Sequence, residues 1–182
     1  MTKTPKYQKF VHLYKKKADP WNLSHSIYEE GRFNKMIKLA KTVPHQMILE
    51  IGCGEGHFTQ KLLRISHDVT ALDVSEDAIK RAKRRAPRAK YLVTSIDDLD
   101  LRSQKFDLII ASEIIYYIRN KKPIFKKIFQ ASSYLLMSNY MLWDYILAPH
   151  LKRAKLLRRI HHYRLQEKLK YCAISLWKLP LK

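Results

Sequence analysis

The sequence predicts an α/β protein in which helices cover both faces of a mostly parallel sheet. From residue 47 onward, short apolar runs alternate with segments of helical periodicity, a pattern that demands parallel strands joined by right-handed crossovers. The run 106–111 is nearly all apolar, which is typical of a central strand buried on both faces. Three of the four glycines lie within residues 52–56, directly after another apolar run, so the first strand ends in a turn that exposes its backbone.

The predicted elements follow one another with short connections. Two helices come first, at residues 5–18 and 26–41, and the string at 19–22 separates them. The predicted strands cover residues 47–51, 69–73, 91–94, 106–111 and 134–138. The helices between them cover residues 56–66, the segment that Ser75 caps and Pro87 ends, and residues 123–132.

The C-terminal part predicts a last helix over residues 143–160 and two strands over 163–168 and 171–177. The short connection between these two strands favours an antiparallel hairpin, which brings the sheet to seven strands. A chain of 182 residues can build one complete core but not two. We therefore expect one domain, 1–182, with a helical cap (1–44), a core (45–141), and a C-terminal helix and hairpin (142–182).

The composition indicates a soluble, cytoplasmic protein. The sequence contains no long uncharged apolar stretch and no signal-type segment after its first residues, so we expect no membrane association. The two cysteines, Cys53 and Cys172, make no disulfide framework and suit a reduced compartment.

The chain is strongly basic, with 36 Lys and Arg residues against 16 Asp and Glu residues and a formal net charge of +20. Residues 80–90 hold seven of the basic residues and no acidic one. Such a charge attracts polyanions, and nucleic acid is the first partner to consider. A solvated basic surface is favoured instead, because the basic residues are spread over helix faces and no aromatic-rich binding arm accompanies them.

The glycine cluster and Asp73 together predict a ligand site. The N-terminus of the helix after the glycines offers free N–H groups, at the edge of the sheet where open α/β folds bind nucleotides. Asp73 ends the second strand, about 20 residues after the glycines, where an acidic side chain takes ribose hydroxyls in dinucleotide folds. A purely structural glycine turn is the alternative.

The spacing Glu50-x-Gly52-x-Gly54-x-Gly56 differs from the G-x-G-x-x-G of dinucleotide enzymes. It resembles the first motif of class I methyltransferases, which bind S-adenosylmethionine (SAM) and release S-adenosylhomocysteine (SAH). The resemblance implies a Rossmann-like class I methyltransferase fold with a C-terminal antiparallel hairpin, and it makes residues 45–141 the SAM-binding core.

Two further strings are similar to one family within that superfamily. The first is Asp19-Pro20-Trp21 followed by Tyr28-Glu29 and Arg32, and the second is Ser112-Glu113-Ile114-Ile115-Tyr116-Tyr117-Ile118 after strand four. Both resemble the nodulation N-methyltransferase (NodS-like) family.

The resemblance implies a set of cofactor-binding residues. These are Glu50, Gly52, Cys53 and Gly54 beside the methionine portion, Asp73 and Val74 at the ribose, Ser95 and Ile96 at the adenine, and Ser112, Tyr28 and Arg32 around them. Most superfamily members carry Asp at the Ser95 position, so Asp97 is a substitute for the adenine contact. Arg32 or Tyr28 closes over the cofactor, and Arg32 pairs with its carboxylate. The alternative for Tyr28 and Arg32 is an N-terminal helix that only packs on the sheet.

Glu113 lies just past the carboxyl end of strand four, beside the same crevice, so we expect the methyl acceptor to bind near it. Methyl transfer is an in-line displacement, so the protein must align the acceptor and free its lone pair. We expect Glu113 to orient the acceptor or take its proton, Tyr117 to assist, and Trp21 and Tyr116 to line the acceptor pocket. The alternatives are a helix-start carboxylate for Glu113, a buried core ring for Tyr117 and simple packing for Trp21. The His161-His162 pair lacks metal-site spacing, so no metal is predicted.

We therefore expect a SAM-dependent methyltransferase that transfers a methyl group to an N or O acceptor on a small molecule or sugar amine. An RNA methyltransferase is the first alternative, because the chain is so basic. A methyltransferase-fold binding module without activity is the second. The sequence leaves the acceptor and the oligomeric state open.

Overall fold

The computed structural model of the protein describes residues 7–140, 146–163 and 171–180. The α-helices in these ranges are α1 (Gln8–Lys16), α2 (Ile27–Ala40), α3 (His57–Leu62), α4 (Glu76–Arg85) and α5 (Lys121–Ala131). The strands are β1 (Met47–Ile51), β2 (Asp68–Asp73), β3 (Lys90–Val93), β4 (Phe106–Ser112), β5 (Ser132–Tyr140), β6 (Lys155–Tyr163) and β7 (Tyr171–Lys178). Single 3-10 turns occur at Ile115–Tyr117 and Ala148–His150.

The strands form one seven-stranded sheet in the order β3-β2-β1-β4-β5-β7-β6. Strands β1 to β5 run parallel to one another, and β7 is antiparallel to both β5 and β6. This confirms the predicted fold class, including the C-terminal antiparallel hairpin. Strand β2 lies on one side of β1 in the sheet, and β4 lies on the other side. The carboxyl end of β1 is therefore the topological switch point, where open α/β sheets bind their ligands.

Two apolar clusters hold the helices against the two faces of the sheet. On one face, Phe33 of α2 and Phe58 of α3 pack with Ile48 of β1, and the two phenylalanine rings stack with centroids 4.8 Å apart. On the other face, Ile124 and Ile128 of α5 pack against the central strands. No helix in the ranges given above has the length and apolar character needed to cross a membrane.

Local signals set the helix starts as predicted. The hydroxyl of Ser26 accepts a hydrogen bond from the N–H of Glu29 at 3.2 Å, and the hydroxyl of Ser75 does the same for Ala78 at 3.2 Å. These two caps begin α2 and α4 by satisfying N–H groups that have no partner within the helix. Helix α3 ends at Leu62, earlier than the predicted residue 66, because the chain tightens there into turns with hydrogen bonds between residues three apart.

The predicted helix over residues 143–160 is wrong. Residues 143–145 lie outside the described ranges, the helical turn after them ends at residue 150, and residues 155–160 belong to strand β6. The segment is rich in Leu, Lys and Arg, which favour helix, but its pairing with β7 overrides this local preference. Of the strand predicted at 163–168, only residue 163 is described and lies in β6, whereas the strand predicted at 171–177 is confirmed as β7.

Candidate functional site

A cavity of about 390 Å³ opens at the carboxyl ends of β1, β2 and β4. Every residue proposed above for cofactor, acceptor or catalysis lines it, with the exception of Asp97. Residues separated by more than ninety positions in the sequence therefore meet in one place, because parallel strands bring their carboxyl ends to the same edge of the sheet.

The glycine turn forms the floor of this cavity. Gly52, Gly54 and Gly56 have φ values of +74°, +52° and +79°, and the N–H groups of Gly52 and Cys53 both donate to the carbonyl of Leu72, at 2.8 and 2.9 Å. A Cβ at Gly52 would lie 2.8 Å from Ile114 Cγ1, and one at Gly54 would lie 2.6 Å from the Tyr14 hydroxyl. Only glycine fits these positions, since both the backbone conformation and the available space exclude a side chain.

Asp73 ends β2 beside this turn and is 7% exposed. One carboxylate oxygen accepts the N–H of Gly54 and the other accepts the N–H of Ser75, both at 2.9 Å. Burial raises the pKa of Asp73 above its ordinary range, while these backbone hydrogen bonds act in the opposite direction. The carboxylate thus braces the glycine turn and faces the cavity, where its remaining lone pairs can accept hydroxyl groups.

Glu50 lies one residue before the end of β1 and is 2% exposed. Its Oε2 accepts a hydrogen bond from the Thr59 hydroxyl of α3 at 2.6 Å. Burial raises the pKa of Glu50 to about 7, against the effect of the Thr59 hydrogen bond, and the charge of Asp73 adds to the increase. A cationic group bound in the cavity would restore the ionised form, so Glu50 suits a ligand that carries an ammonium.

The raised pKa of Glu50 makes stability depend on pH. Between pH 4.5 and about 7, Glu50 is ionised in the unfolded chain but protonated in the folded one, so raising the pH through this window destabilises the fold. Glu50→Gln removes this pH-dependent loss of stability and keeps an acceptor for the Thr59 hydroxyl. We expect the free energy of unfolding of Glu50→Gln, relative to the unmodified protein, to rise by roughly 1 to 3 kcal/mol between pH 4.5 and 7.5.

Urea unfolding at a series of pH values measures this difference. Glu76→Gln is the matched control, because Glu76 is an exposed residue at the start of α4, paired with Lys80. A relative free energy for Glu50→Gln that stays as flat with pH as that of Glu76→Gln would contradict the prediction.

The end of β3 supplies the third part of the cavity wall. Ile96 is 3% exposed and lines the cavity, as does Ser95. The Ser95 hydroxyl, expected to contact adenine, donates to Asp98 at 2.7 Å. Asp97, the substitute contact, does not line the cavity and instead accepts a hydrogen bond from the Tyr7 hydroxyl at 2.5 Å. The apolar Ile96 is therefore the side chain of this loop best placed to pack against a ligand ring.

Arg32 of α2 is 3% exposed and ties its helix to the sheet. Its guanidinium forms an ion pair with Glu29 and donates to the hydroxyls of Ser112 and Ser138, at 2.7 Å for Ser138. Arg32 lines the cavity, but most of its N–H groups are already engaged. A fork to a ligand carboxylate would have to compete with Glu29, so the proposed pairing of Arg32 with a cofactor carboxylate stays a prediction.

Glu113 follows β4 with a left-handed backbone, φ +53°, which is uncommon for a residue other than glycine. Its N–H donates to the Ser138 carbonyl at 2.9 Å, which anchors this conformation. One carboxylate oxygen accepts the Tyr116 hydroxyl at 3.1 Å, and the other, Oε1, is buried without a hydrogen-bond partner in the described part of the chain. Strained backbone and unsatisfied buried polar atoms are common at functional sites, and the catalytic role of Glu113 stays a prediction.

The pKa of the Glu113 carboxyl lies above its ordinary range. Burial is the main cause, and the charge of Arg32 and the Tyr116 hydrogen bond oppose it. A carboxylate that binds a proton more tightly than usual is better able to take one from a neighbouring group.

Aromatic side chains close the cavity from the N-terminal side. Trp21 donates from Nε1 to the Tyr14 hydroxyl at 3.1 Å, and Tyr117 meets Phe10 edge to face, with ring centroids 4.7 Å apart. Tyr28 stacks on His162 of β6, with ring centroids 4.4 Å apart. Trp21, Tyr28 and Tyr117 thus contact other side chains and also line the cavity.

Helix α1 and the residue before it contribute cavity residues that the sequence analysis missed. Tyr7, Phe10 and Tyr14 line the cavity. Their spacing of three and four residues places them on one side of a helix, which was the available signal. The sequence predicts this helix, but none of the predicted site residues comes from this row of aromatic side chains. Tyr140 and Cys172 also line the cavity, and no local pattern in the sequence indicates them.

Within residues 7–140, 146–163 and 171–180, no three His, Cys, Asp or Glu side chains come together to hold a metal ion. Both cysteines are buried and free.

Comparison with known proteins places the chain in a family. The family model described as Nodulation protein S (NodS) matches residues 8–143, which is most of the chain. The chain belongs to the NodS family. Among curated NodS-family relatives, Nodulation protein S of Sinorhizobium fredii is 30% identical over 138 residues, covering 74% of this chain and 64% of that protein. A malonyl-[acyl-carrier protein] O-methyltransferase of Hamiltonella defensa is 24% identical over 128 residues, covering 69% of this chain and 49% of that protein.

A solved structure extends the likeness within the NodS family to the whole fold. The N-methyltransferase NodS from Bradyrhizobium japonicum WM9, in complex with SAH, matches with a TM-score of 0.84 and 22% identity, covering 98% of this chain and 100% of that one. This match supports the Rossmann-like methyltransferase fold of the chain. The chain spans 43% to 64% of the length of the four curated NodS relatives it matches first.

Proposed function

We propose that this NodS-family protein is a SAM-dependent methyltransferase that methylates an N or O acceptor on a small molecule, with a sugar amine as the favoured acceptor. One observation carries the proposal. The glycine turn, Asp73 and Ile96 follow one another along the ends of three adjacent strands, β1, β2 and β3. This order suits a ligand with an amino-acid tail, a ribose and an adenine ring. The SAH complex of the Bradyrhizobium NodS supports the same choice of cofactor.

Each part of the cavity fits one part of that ligand. The glycine turn lets the amino-acid tail approach the backbone, and the buried carboxyl of Glu50 suits the ammonium of that tail. Asp73 accepts the ribose hydroxyls, and Ile96 gives the adenine an apolar wall. When bound, SAM would supply a methyl group already activated on a sulfonium. The chain's own residues then need only align the acceptor and make its lone pair available.

Glu113 is the residue proposed to prepare the acceptor. Its Oε1 accepts no hydrogen bond within the described residues, whereas the other oxygen accepts the Tyr116 hydroxyl and is held in place. The ammonium form of an amine can place an N–H on the ionised carboxylate at Oε1 and pass that proton to it, which leaves a neutral amine whose lone pair is free for in-line attack. Tyr116 keeps the carboxylate oriented, and the ring of Tyr117 bounds the acceptor space.

The structure gives the RNA methyltransferase alternative little support. Several cations of the 80–90 segment are engaged with the protein itself. Arg81 contacts Glu55 at 2.7 Å, Arg85 donates to the Glu55 carbonyl at 2.5 Å, Lys80 pairs with Glu76, and Lys90 pairs with Asp68. The segment thus presents fewer free cations than its sequence indicates. The intact pairing of Asp73 with the glycine turn also argues against an inactive binding module.

Isothermal titration of the purified protein with SAH tests the proposal directly. We expect one site per chain, with a dissociation constant on the order of 1 to 100 μM, as for a cofactor held by a few hydrogen bonds and one apolar wall. Transfer of labelled methyl from SAM to glucosamine and its oligomers, compared with the N-acetylated forms, tests the acceptor class. Absence of SAH binding would overturn the enzyme assignment, and equal labelling of both sugar forms would exclude the amine.

A further inference from the structure

A single lysine ammonium on α5 holds the loop that follows β3. Lys127 Nζ donates to three backbone carbonyls of this loop, those of Ile96, Asp97 and Leu99, at 3.4, 2.6 and 3.0 Å. An ammonium has three N–H donors, and all three are directed to this one turn of chain. Bonds from a charged donor are stronger than neutral ones, so the three contacts together fix the backbone of the loop.

This loop consists of residues 95–99, and it forms the part of the cavity wall next to Asp73. Ile96 is 3% exposed and faces the cavity, and the Ser95 hydroxyl closes the loop internally on Asp98. The hydroxyl of Tyr7, the residue that precedes α1, donates to Asp97 of the same loop. The contacts from α5 and from the start of α1 therefore hold the loop from two different places in the chain.

Helix α5 is a firm base for this contact. Ile124 and Ile128, on either side of Lys127 in the sequence, are 2% and 0% exposed and pack into the core of that face. A long side chain anchored on such a helix delivers its ammonium to a nearly fixed position. Without the ammonium, three carbonyl groups would converge with no donor between them, and the loop would move to let water reach them.

We propose that Lys127 is a positioning residue, which sets the loop 95–99, and Ile96 with it, at the place where the adenine ring packs. This inference rests on the proposed SAM-binding function. Lys127 touches neither cofactor nor acceptor. It acts through the backbone of the loop, and its effect falls on the affinity for adenosyl ligands.

Titration with SAH at 10 °C compares four proteins: unmodified, Lys127→Met, Lys127→Arg and Lys126→Met. Methionine keeps a long unbranched side chain and removes the charged ammonium. We expect Lys127→Met to bind SAH about tenfold more weakly, since a misplaced apolar wall costs on the order of 1.4 kcal/mol. Lys127→Arg should recover most of the affinity because its guanidinium still donates to carbonyls. Lys126 is an exposed neighbour with no hydrogen bond in the described part of the chain, so Lys126→Met should bind as the unmodified protein does.

Amide hydrogen exchange without ligand separates this inference from the proposed function. Exchange at residues 95–99 should be faster in Lys127→Met than in the unmodified protein, while the amides of β1 and β4 are unchanged. If the unmodified protein fails to bind SAH, the proposed function is lost and faster exchange still supports the role of Lys127 in the loop. Unchanged exchange in the loop overturns the inference. A lower melting temperature with unchanged SAH affinity at 10 °C overturns it as well, because Lys127 would then be merely structural.

Discussion

Glu113→Gln should lower the rate constant of methyl transfer by about 10²- to 10⁴-fold, the usual range for losing a general base. The affinity for SAH should stay within about twofold, because the proposed role of Glu113 concerns the acceptor and not the cofactor. Glutamine has the shape of glutamate and can still accept the Tyr116 hydrogen bond. It cannot take a proton from the acceptor at neutral pH.

Single-turnover transfer to an amine acceptor and SAH titration measure these two quantities separately. In the unmodified protein the rate should rise with pH through the pKa of Glu113, which burial raises, because only the ionised carboxylate accepts a proton. Tyr116→Phe removes a hydrogen bond that lowers this pKa and should shift the profile to higher pH. A Glu113→Gln enzyme that keeps its rate within threefold would show that Glu113 is only the carboxylate that begins the turn after β4.

Asp73→Ala should weaken SAH binding by about a hundredfold, or close to 2.7 kcal/mol, because it removes two contributions at once. The first is the acceptor proposed for the ribose hydroxyls. The second is the brace on the binding turn, since Asp73 holds the N–H groups of Gly54 and Ser75. Both N–H groups lie in a buried region, where a donor without an acceptor is costly.

Asp73→Asn should bind SAH almost as weakly as Asp73→Ala. The amide keeps one oxygen, but its NH₂ group then faces one of two backbone donors, so one hydrogen bond is lost whichever way the amide turns. Asp68→Ala is the matched control, because Asp68 lies at the other end of β2, away from the cavity, and pairs with Lys90. Titration of the three variants with SAH decides the matter, and an Asp73→Ala protein that binds like Asp68→Ala would contradict the ribose assignment.

Local chemistry made much of the fold and of the site predictable. The glycine turn could be located because φ values near +60° leave few other residues to choose from. The cap at Ser75 could be located because the free N–H groups of a helix start need acceptors. Glu113 could be singled out because it directly follows a buried parallel strand, and such strands end at the ligand edge.

What could not be predicted depends on contacts between distant parts of the chain. The 155–160 segment consists of good helix formers and becomes β6 only because β7 is there to pair with it. The contact of Lys127 with the loop after β3 spans about thirty residues and leaves no periodic trace in the sequence. The engagement of Arg32 with Ser112 and Ser138 likewise depends on how α2 docks on the sheet.

The position of β6 in the sheet gives a physical reason for part of the positive charge of this protein. Strand β6 is the last in the sheet order, and β7 is the one described strand that it pairs with, so within the described residues one row of its backbone N–H and C=O groups has no neighbouring strand. Unpaired strand edges invite self-association, and natural proteins discourage it by placing charged side chains along them. Lys155, Arg158 and Arg159 are exposed on this strand. Repulsion between these side chains on different molecules would keep the β6 edges apart. Part of the net positive charge would then protect the protein against aggregation, and this role requires no anionic partner.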